Sequence, residues 1–89
     1  MNTKNIELET IIAALARMVA NKKGIDIALI KPESTLESLE LDSLDVFDLI
    51  FSAEHKYDIR FPKHIGIDDV RKMQDVAVLT QNLILKKSL

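Results

Sequence analysis

The chain contains no cysteine, and only two glycines and two prolines among its 89 residues. Without cysteine it can build neither a disulfide framework nor a zinc ribbon. That suits a reducing compartment without demanding one. So few glycines and prolines leave little material for turns, which favours helices. There is no Gly-x-Ser-x-Gly elbow, no phosphate-cradling glycine loop and no metal-ligand spacing. No apolar run approaches the ~18 residues of a membrane span, and Met1–Asn5 precede no apolar h-region. A soluble, unexported, cytoplasmic protein without membrane insertion is the expectation. No linker-like stretch and no internal repeat divides it, so residues 1–89 read as a single domain with one modest core.

What is present is ordinary for a globular protein, 47% hydrophobic and 29% charged residues, but the charge is unevenly spread. Between residues 33 and 58 stand Glu33, Glu37, Glu40, Asp42, Asp45, Asp48, Glu54 and Asp58 against Lys56 alone, a local charge of −7. The remaining residues carry eleven Lys/Arg and six Asp/Glu, which brings the net charge to −2. Such a stretch attracts basic partners and repels nucleic acid, or it is simply a solvated helix face.

From about Ile6 to Asn21, Leu8, Ile11, Ile12, Leu15, Met18 and Val19 recur at three- and four-residue steps, with Glu9, Thr10 and Arg17 opposite. This is an amphipathic helix, and Gly24 is its stop signal. Its mixed polar face points to core packing rather than to a membrane surface. Residues 24 to 41 then form a long connection, too long to be structureless in so small a domain. Ile30, Leu36 and Leu39 are the expected anchors, with a brief helical turn near Leu36 to Leu39. The last helix runs from about Met73 to Lys86 on a stripe of Met73, Val76, Ala77, Thr80, Leu83 and Ile84. Between Pro62 and Met73 there is room for one short helix at most.

The second helix, about Ser43 to Tyr57, is the informative one. Asp42 precedes its apolar periodicity and Asp45 follows three positions later, a short-armed capping box. Ser43 is then the first helical residue, its hydroxyl beside backbone N–H groups that lack partners inside the helix. A phosphate ester there would meet the positive end of the helix dipole, partly offset by Asp42. At 100° per residue, Val46, Leu49, Ile50, Ala53 and Tyr57 share the core arc. Leu44, Phe47 and Phe51 fall on another arc, rimmed by Asp45, Asp48 and Glu54. Either those phenylalanines pack under the long loop or another helix, or they form an exposed apolar strip rimmed by carboxylates, as on a docking surface.

Leu39-Glu40-Leu41-Asp42-Ser43-Leu44-Asp45 resembles the Asp-Ser-Leu segment of acyl carrier proteins. Tyr57-Asp58-Ile59-Arg60-Phe61-Pro62 resembles that family's exit from its second helix, and Met73-Gln74-Asp75-Val76 the start of its last. Together these extend the resemblance over roughly residues 6 to 85. It implies an all-α four-helix bundle of three longer helices and one short third helix. It also implies that Ser43 carries 4′-phosphopantetheine, transferred from coenzyme A by a Mg²⁺-dependent phosphopantetheinyl transferase. The second helix would be the recognition element for basic patches on acyl-loading, condensing or acyl-transferring enzymes. Asp42, Leu44, Asp45, Phe47, Asp48, Phe51 and Glu54 are then the expected partner-binding residues. The bundle core would shelter the acyl chain, and a monomer is expected. His55 and Lys56 depart from the family's glutamates, and Lys63, His64, Arg71 and Lys72 make its usually acidic third-helix region basic. Those departures argue against a housekeeping role in fatty acid synthesis.

No catalytic site emerges from the residues themselves. His55 lies twelve positions from Ser43 on the same helix, ~18 Å away, and cannot activate its hydroxyl. His64 would have to fold back from the far end of that helix. Asp42, Asp45 and Asp48 are held apart by helical turns, which leaves at most a weak surface cation site. The expected function is therefore carriage of acyl groups as thioesters for fatty acid, polyketide or specialised lipid synthesis. A peptidyl or aminoacyl carrier for nonribosomal synthesis fits the same core pattern. A helical interaction domain in which Asp-Ser-Leu is coincidental is the reading from another class.

Overall fold

The protein's structure, a computed structural model, describes residues 7–63 and 70–87. These form three α-helices: α1 (Leu8–Lys23), α2 (Ser43–Tyr57) and α3 (Met73–Lys87), with a 3₁₀ turn at Ile27–Leu29. No strand occurs among the described residues; one isolated bridge joins Thr35 to Lys72. The expected short helix falls mainly on residues 64–69, outside the described residues, as does His64. The described fold is thus an all-α bundle of three helices.

The apolar stripe of α1 buries Ile11, Leu15, Ala16, Val19 and Ala20, with Leu8, Ile12 and Met18 packed at its margin. Full burial of a side chain such as Leu15 stabilises the fold by about 1.5–3 kcal/mol relative to exposure. The helix runs two residues past Asn21. It ends where Gly24 turns left-handed at φ 66°, and the Gly24 and Ile25 amides both donate to the Ala20 carbonyl. This end places Lys22 and Lys23 in the last turn, beside the negative pole of the helix.

The connection from Gly24 to Asp42 is pinned in two ways. Ile30, Leu36 and Leu41 are buried, and Leu39 is half-buried against the core. The backbone is also tied to the entry of α3, with Leu36 N–H donating to Arg71 O, Met73 N–H to Ser34 O and Gln74 N–H to Pro32 O. The stretch near Leu36 to Leu39 is a hydrogen-bonded turn, and the 3₁₀ turn lies earlier, where Asp26 accepts from the Ala28 amide. The 36–40 turn closes with Glu40 left-handed at φ 59° and Leu41 N–H donating to Leu36 O, which aims the chain at α2.

α1 packs mainly on α3 and also on α2, and α2 touches α3 directly. α3 buries Met73, Val76, Ala77 and Thr80, with Leu83 and Ile84 at the margin. The Thr80 hydroxyl donates to the Val76 carbonyl at 2.8 Å, so this buried polar group is satisfied within its own helix. Asp75 reaches back to accept from the Arg71 and Lys72 amides, fixing the entry to α3. At the other end Lys87 pairs with Asp58 at 3.1 Å.

Candidate functional site

α2 begins as its sequence specifies. The Asp42 carboxylate accepts from the Asp45 amide at 2.9 Å, and the Asp45 carboxylate accepts in return from the Asp42 amide at 3.3 Å. Leu41 and Val46 occupy the two staple positions around this cap and both are buried, which fixes the angle at which the chain enters the helix. Ser43 is consequently the first residue of α2, and it is exposed. Asp42 takes the Asp45 amide and the Asp42 carbonyl takes the Val46 amide. The amides of Ser43 and Leu44 come before the Val46 amide, the first to donate to a carbonyl one turn back, and so lie at the positive end of the helix.

The two arcs of α2 separate as their spacing predicts. Val46, Leu49, Ile50 and Ala53 are buried and Tyr57 is half-buried. Leu44 is 73% exposed, Phe51 62% and Phe47 44%. Neither phenylalanine is covered by the long connection. Among the described residues, therefore, α2 presents an apolar strip to solvent directly beyond Ser43.

The carboxylates around this strip are not equivalent. Asp45 retains only 15% side-chain exposure and is held by Lys23 at 3.2 Å and by Lys22 at 3.7 Å. The hydrogen bond from Lys23 and the bond to the Asp42 amide keep its carboxyl below the usual aspartate range. Asp48 pairs with Lys22, and that bond raises the Lys22 ammonium above its ordinary value. Glu54 accepts from the Phe61 amide at 2.8 Å and fixes the chain leaving α2, where Asp58 turns left-handed and Ile59 and Phe61 are buried. Asp42 is exposed and serves as the cap. Of the seven residues expected to meet partners, Asp42, Leu44, Phe47, Asp48 and Phe51 lie on the surface. Asp45 and Glu54 are partly buried and engaged within the chain, and the exposed Asp42 and Asp48 also have partners within it.

Lys22 and Lys23 belong to this site, although their sequence context marks only the end of a helix. No local signal foretells the pairing, because it spans more than twenty residues and needs the docking of α1 on α2. His55 is exposed at the opposite end of α2 from Ser43. Asp45 and Asp48 turn toward lysines rather than toward a common cation position, and among the described residues no group of three metal-ligating side chains converges. An open hollow beside Asp42 is lined by Leu36, Leu41 and Val70 with Glu37, Glu40 and Arg71 at its edge. A second, between α1 and α2, runs over Met18, Val19 and Leu49 to Phe51.

Phosphopantetheine suits this geometry. The Ser43 hydroxyl is exposed at a capped helix start, where a phosphodiester would displace no core residue and would lie beside the first N–H groups of α2. No helix is long and apolar enough to cross a membrane among the described residues.

Comparison with known proteins bears on the same region. The family model described as the phosphopantetheine attachment site matches residues 13–68. The chain is 36% identical over 83 residues to the acyl carrier protein AcpXL of Mesorhizobium japonicum, covering 89% of each protein. It is 32% identical over 76 residues to a meromycolate extension acyl carrier protein of Mycolicibacterium smegmatis, covering 84% of this chain and 76% of the relative. The crystal structure of an acyl carrier protein from Thermotoga maritima superposes with a TM-score of 0.80 at 26% identity, over 92% of this chain and 95% of the other. By sequence and by fold, the chain belongs to the acyl carrier proteins, phosphopantetheine-bearing carriers rather than enzymes.

Proposed function

We propose that Ser43 is the attachment residue, and that residues 1–89 act as one monomeric cytoplasmic carrier domain for acyl groups in specialised lipid synthesis. The observation that carries this is the exposed Ser43 hydroxyl at the first position of a helix whose start is locked by Asp42 and Asp45. The arm's terminal thiol would hold the cargo as a thioester. The chain's own part is to fix the tether, keep it in water and offer α2 to the enzymes that load and unload it. Asp42, Leu44, Phe47, Asp48 and Phe51 form the contact face. Asp45 and Glu54 support it from within.

Specialised lipid rather than housekeeping fatty acid synthesis is favoured by two observations. One is the likeness to a carrier named for meromycolate extension. The other is the cationic end of α2, where His55 and Lys56 are exposed beyond the aromatic strip. Polyketide work and aminoacyl carriage share the same attachment geometry, because the cargo is chosen by the loading enzyme. The partners are a phosphopantetheinyl transferase and acyl-loading, condensing or acyl-transferring enzymes.

The test is intact-mass spectrometry of apo-protein incubated with coenzyme A, Mg²⁺ and a promiscuous phosphopantetheinyl transferase. The wild type gains one phosphopantetheine and Ser43→Ala gains none. An equal gain in Ser43→Ala would move the attachment elsewhere, and no gain in either protein would remove the carrier reading of this chain.

A further inference from the structure

Lys22 and Lys23 lie on α1, outside the contact face, yet they bind two of the three carboxylates at the N-terminal half of α2. From the sequence, Asp42, Asp45 and Asp48 make an acidic face that should draw basic partners. In the fold, Lys22 lies on Asp48 and also within 3.7 Å of Asp45, while Lys23 holds Asp45. The same face leaves Leu44, Phe47 and Phe51 to solvent without a partner among the described residues, beside Asp48, which keeps 56% side-chain exposure in its pair with Lys22, and the exposed cap Asp42. We propose that Lys22 is a specificity-determining residue. It occupies Asp48 from within the chain, screens α2 against partners that dock through basic patches, and leaves an apolar pocket as the feature a partner must offer to Phe47 and Phe51.

The physical basis is competition for one acceptor. A partner cation reaching Asp48 must first displace the Lys22 ammonium, and the gain from the new pair is offset by the loss of the old one. Both ion pairs are solvent-facing, so the net difference is small, and it is further screened by salt. Burying an exposed phenylalanine against an apolar pocket carries no such internal competitor. The Lys22 ammonium is held in place by Asp48 and Asp45 together. The inference rests on α2 being the docking face.

Titration of the protein with a fluorescent hexa-arginine peptide at low ionic strength reads the screen directly. Lys22→Met is expected to bind roughly three- to fivefold more tightly than wild type, the size an exposed ion pair supports. Lys22→Arg, which keeps the pair, should match wild type. Lys31→Met is the control for net charge, since Lys31 lies outside this cluster, and its gain should be smaller. Asp48→Asn in the Lys22→Met background should cancel the gain. A Lys22→Met gain no larger than that of Lys31→Met, or one that survives Asp48→Asn, overturns the proposal. The KM of a phosphopantetheinyl transferase for the carrier is the second readout, expected to fall in Lys22→Met and to rise in Phe51→Ser. An unchanged KM in both counts against the screen. Absence of any mass gain with wild type removes the carrier reading and leaves the screen standing or falling on the peptide titration, which is independent of attachment.

Discussion

At the residue scale, Asp42 links stability to the proposed attachment. Its carboxylate closes the first turn of α2 on the Asp45 amide, so the position of Ser43 depends on it. Asp42→Ala should cost about 1 kcal/mol, the usual value of an N-cap. For a domain of this size that lowers Tm by roughly 4–8 °C in thermal CD. Asp42→Asn keeps an acceptor oxygen while removing the charge beside the proposed phosphate, and should retain most of the stability. If both substitutions destabilise equally, the cap is not the reason for Asp42. Elsewhere single residues sit in less natural settings. Glu40 and Asp58 take left-handed backbone without the freedom of a glycine, at about 1–2 kcal/mol for Glu40 and less for Asp58, whose short polar side chain tolerates that region better. In a chain with two glycines, these reversals are held by burial of Leu41 and Ile59 directly after them.

At the element scale, α2 serves two masters with one periodicity. One arc belongs to the core, and the other is left to solvent. Leucines five residues apart should therefore behave differently. Leu49→Ala, in the buried arc, is expected to cost about 2–5 kcal/mol. Leu44→Ala should stay within about 0.5 kcal/mol, as surface substitutions do. Urea denaturation separates them, and equal losses would mean that Leu44 is packed. Both arcs were legible in the sequence, because the helix start was marked by its cap and 3.6-residue periodicity did the rest. Whether Phe47 and Phe51 lay under the long connection was not legible. That depended on where residues 24–41 run, and the connection is tied instead to the entry of α3 through Arg71, Ser34 and Pro32.

At the scale of the whole molecule, the ion pairs between α1 and α2 make stability depend on pH at both extremes. The Asp45 carboxyl is depressed, first by the hydrogen bond from Lys23, relative to its usual 3.8. A group so shifted contributes its stability fully above that value, and the contribution is lost as pH falls through the lower folded pKa. The Lys22 ammonium is raised above 10.5, chiefly by Asp48. Its contribution is complete below that value and is lost as pH rises through the folded pKa. Tm measured from pH 2 to 12 should therefore decline below about pH 4 and again above about pH 10.5. Asp45→Asn should flatten the acid limb and Lys22→Met the alkaline one. Limbs unchanged in both variants would show that other groups govern them.

The sequence by itself determined the helices and their inward faces, the cap that sets Ser43 at a helix start, and the kinship with acyl carrier proteins. All of these are written in residues at most a few turns apart, where capping chemistry and periodicity act locally. Only the tertiary structure decided that Lys22 and Lys23 reach Asp45 and Asp48, that Glu54 holds the Phe61 amide, and that both phenylalanines of α2 remain in water. A charged or apolar side chain declares what it can bind, but which partner lies within reach is fixed when the helices pack.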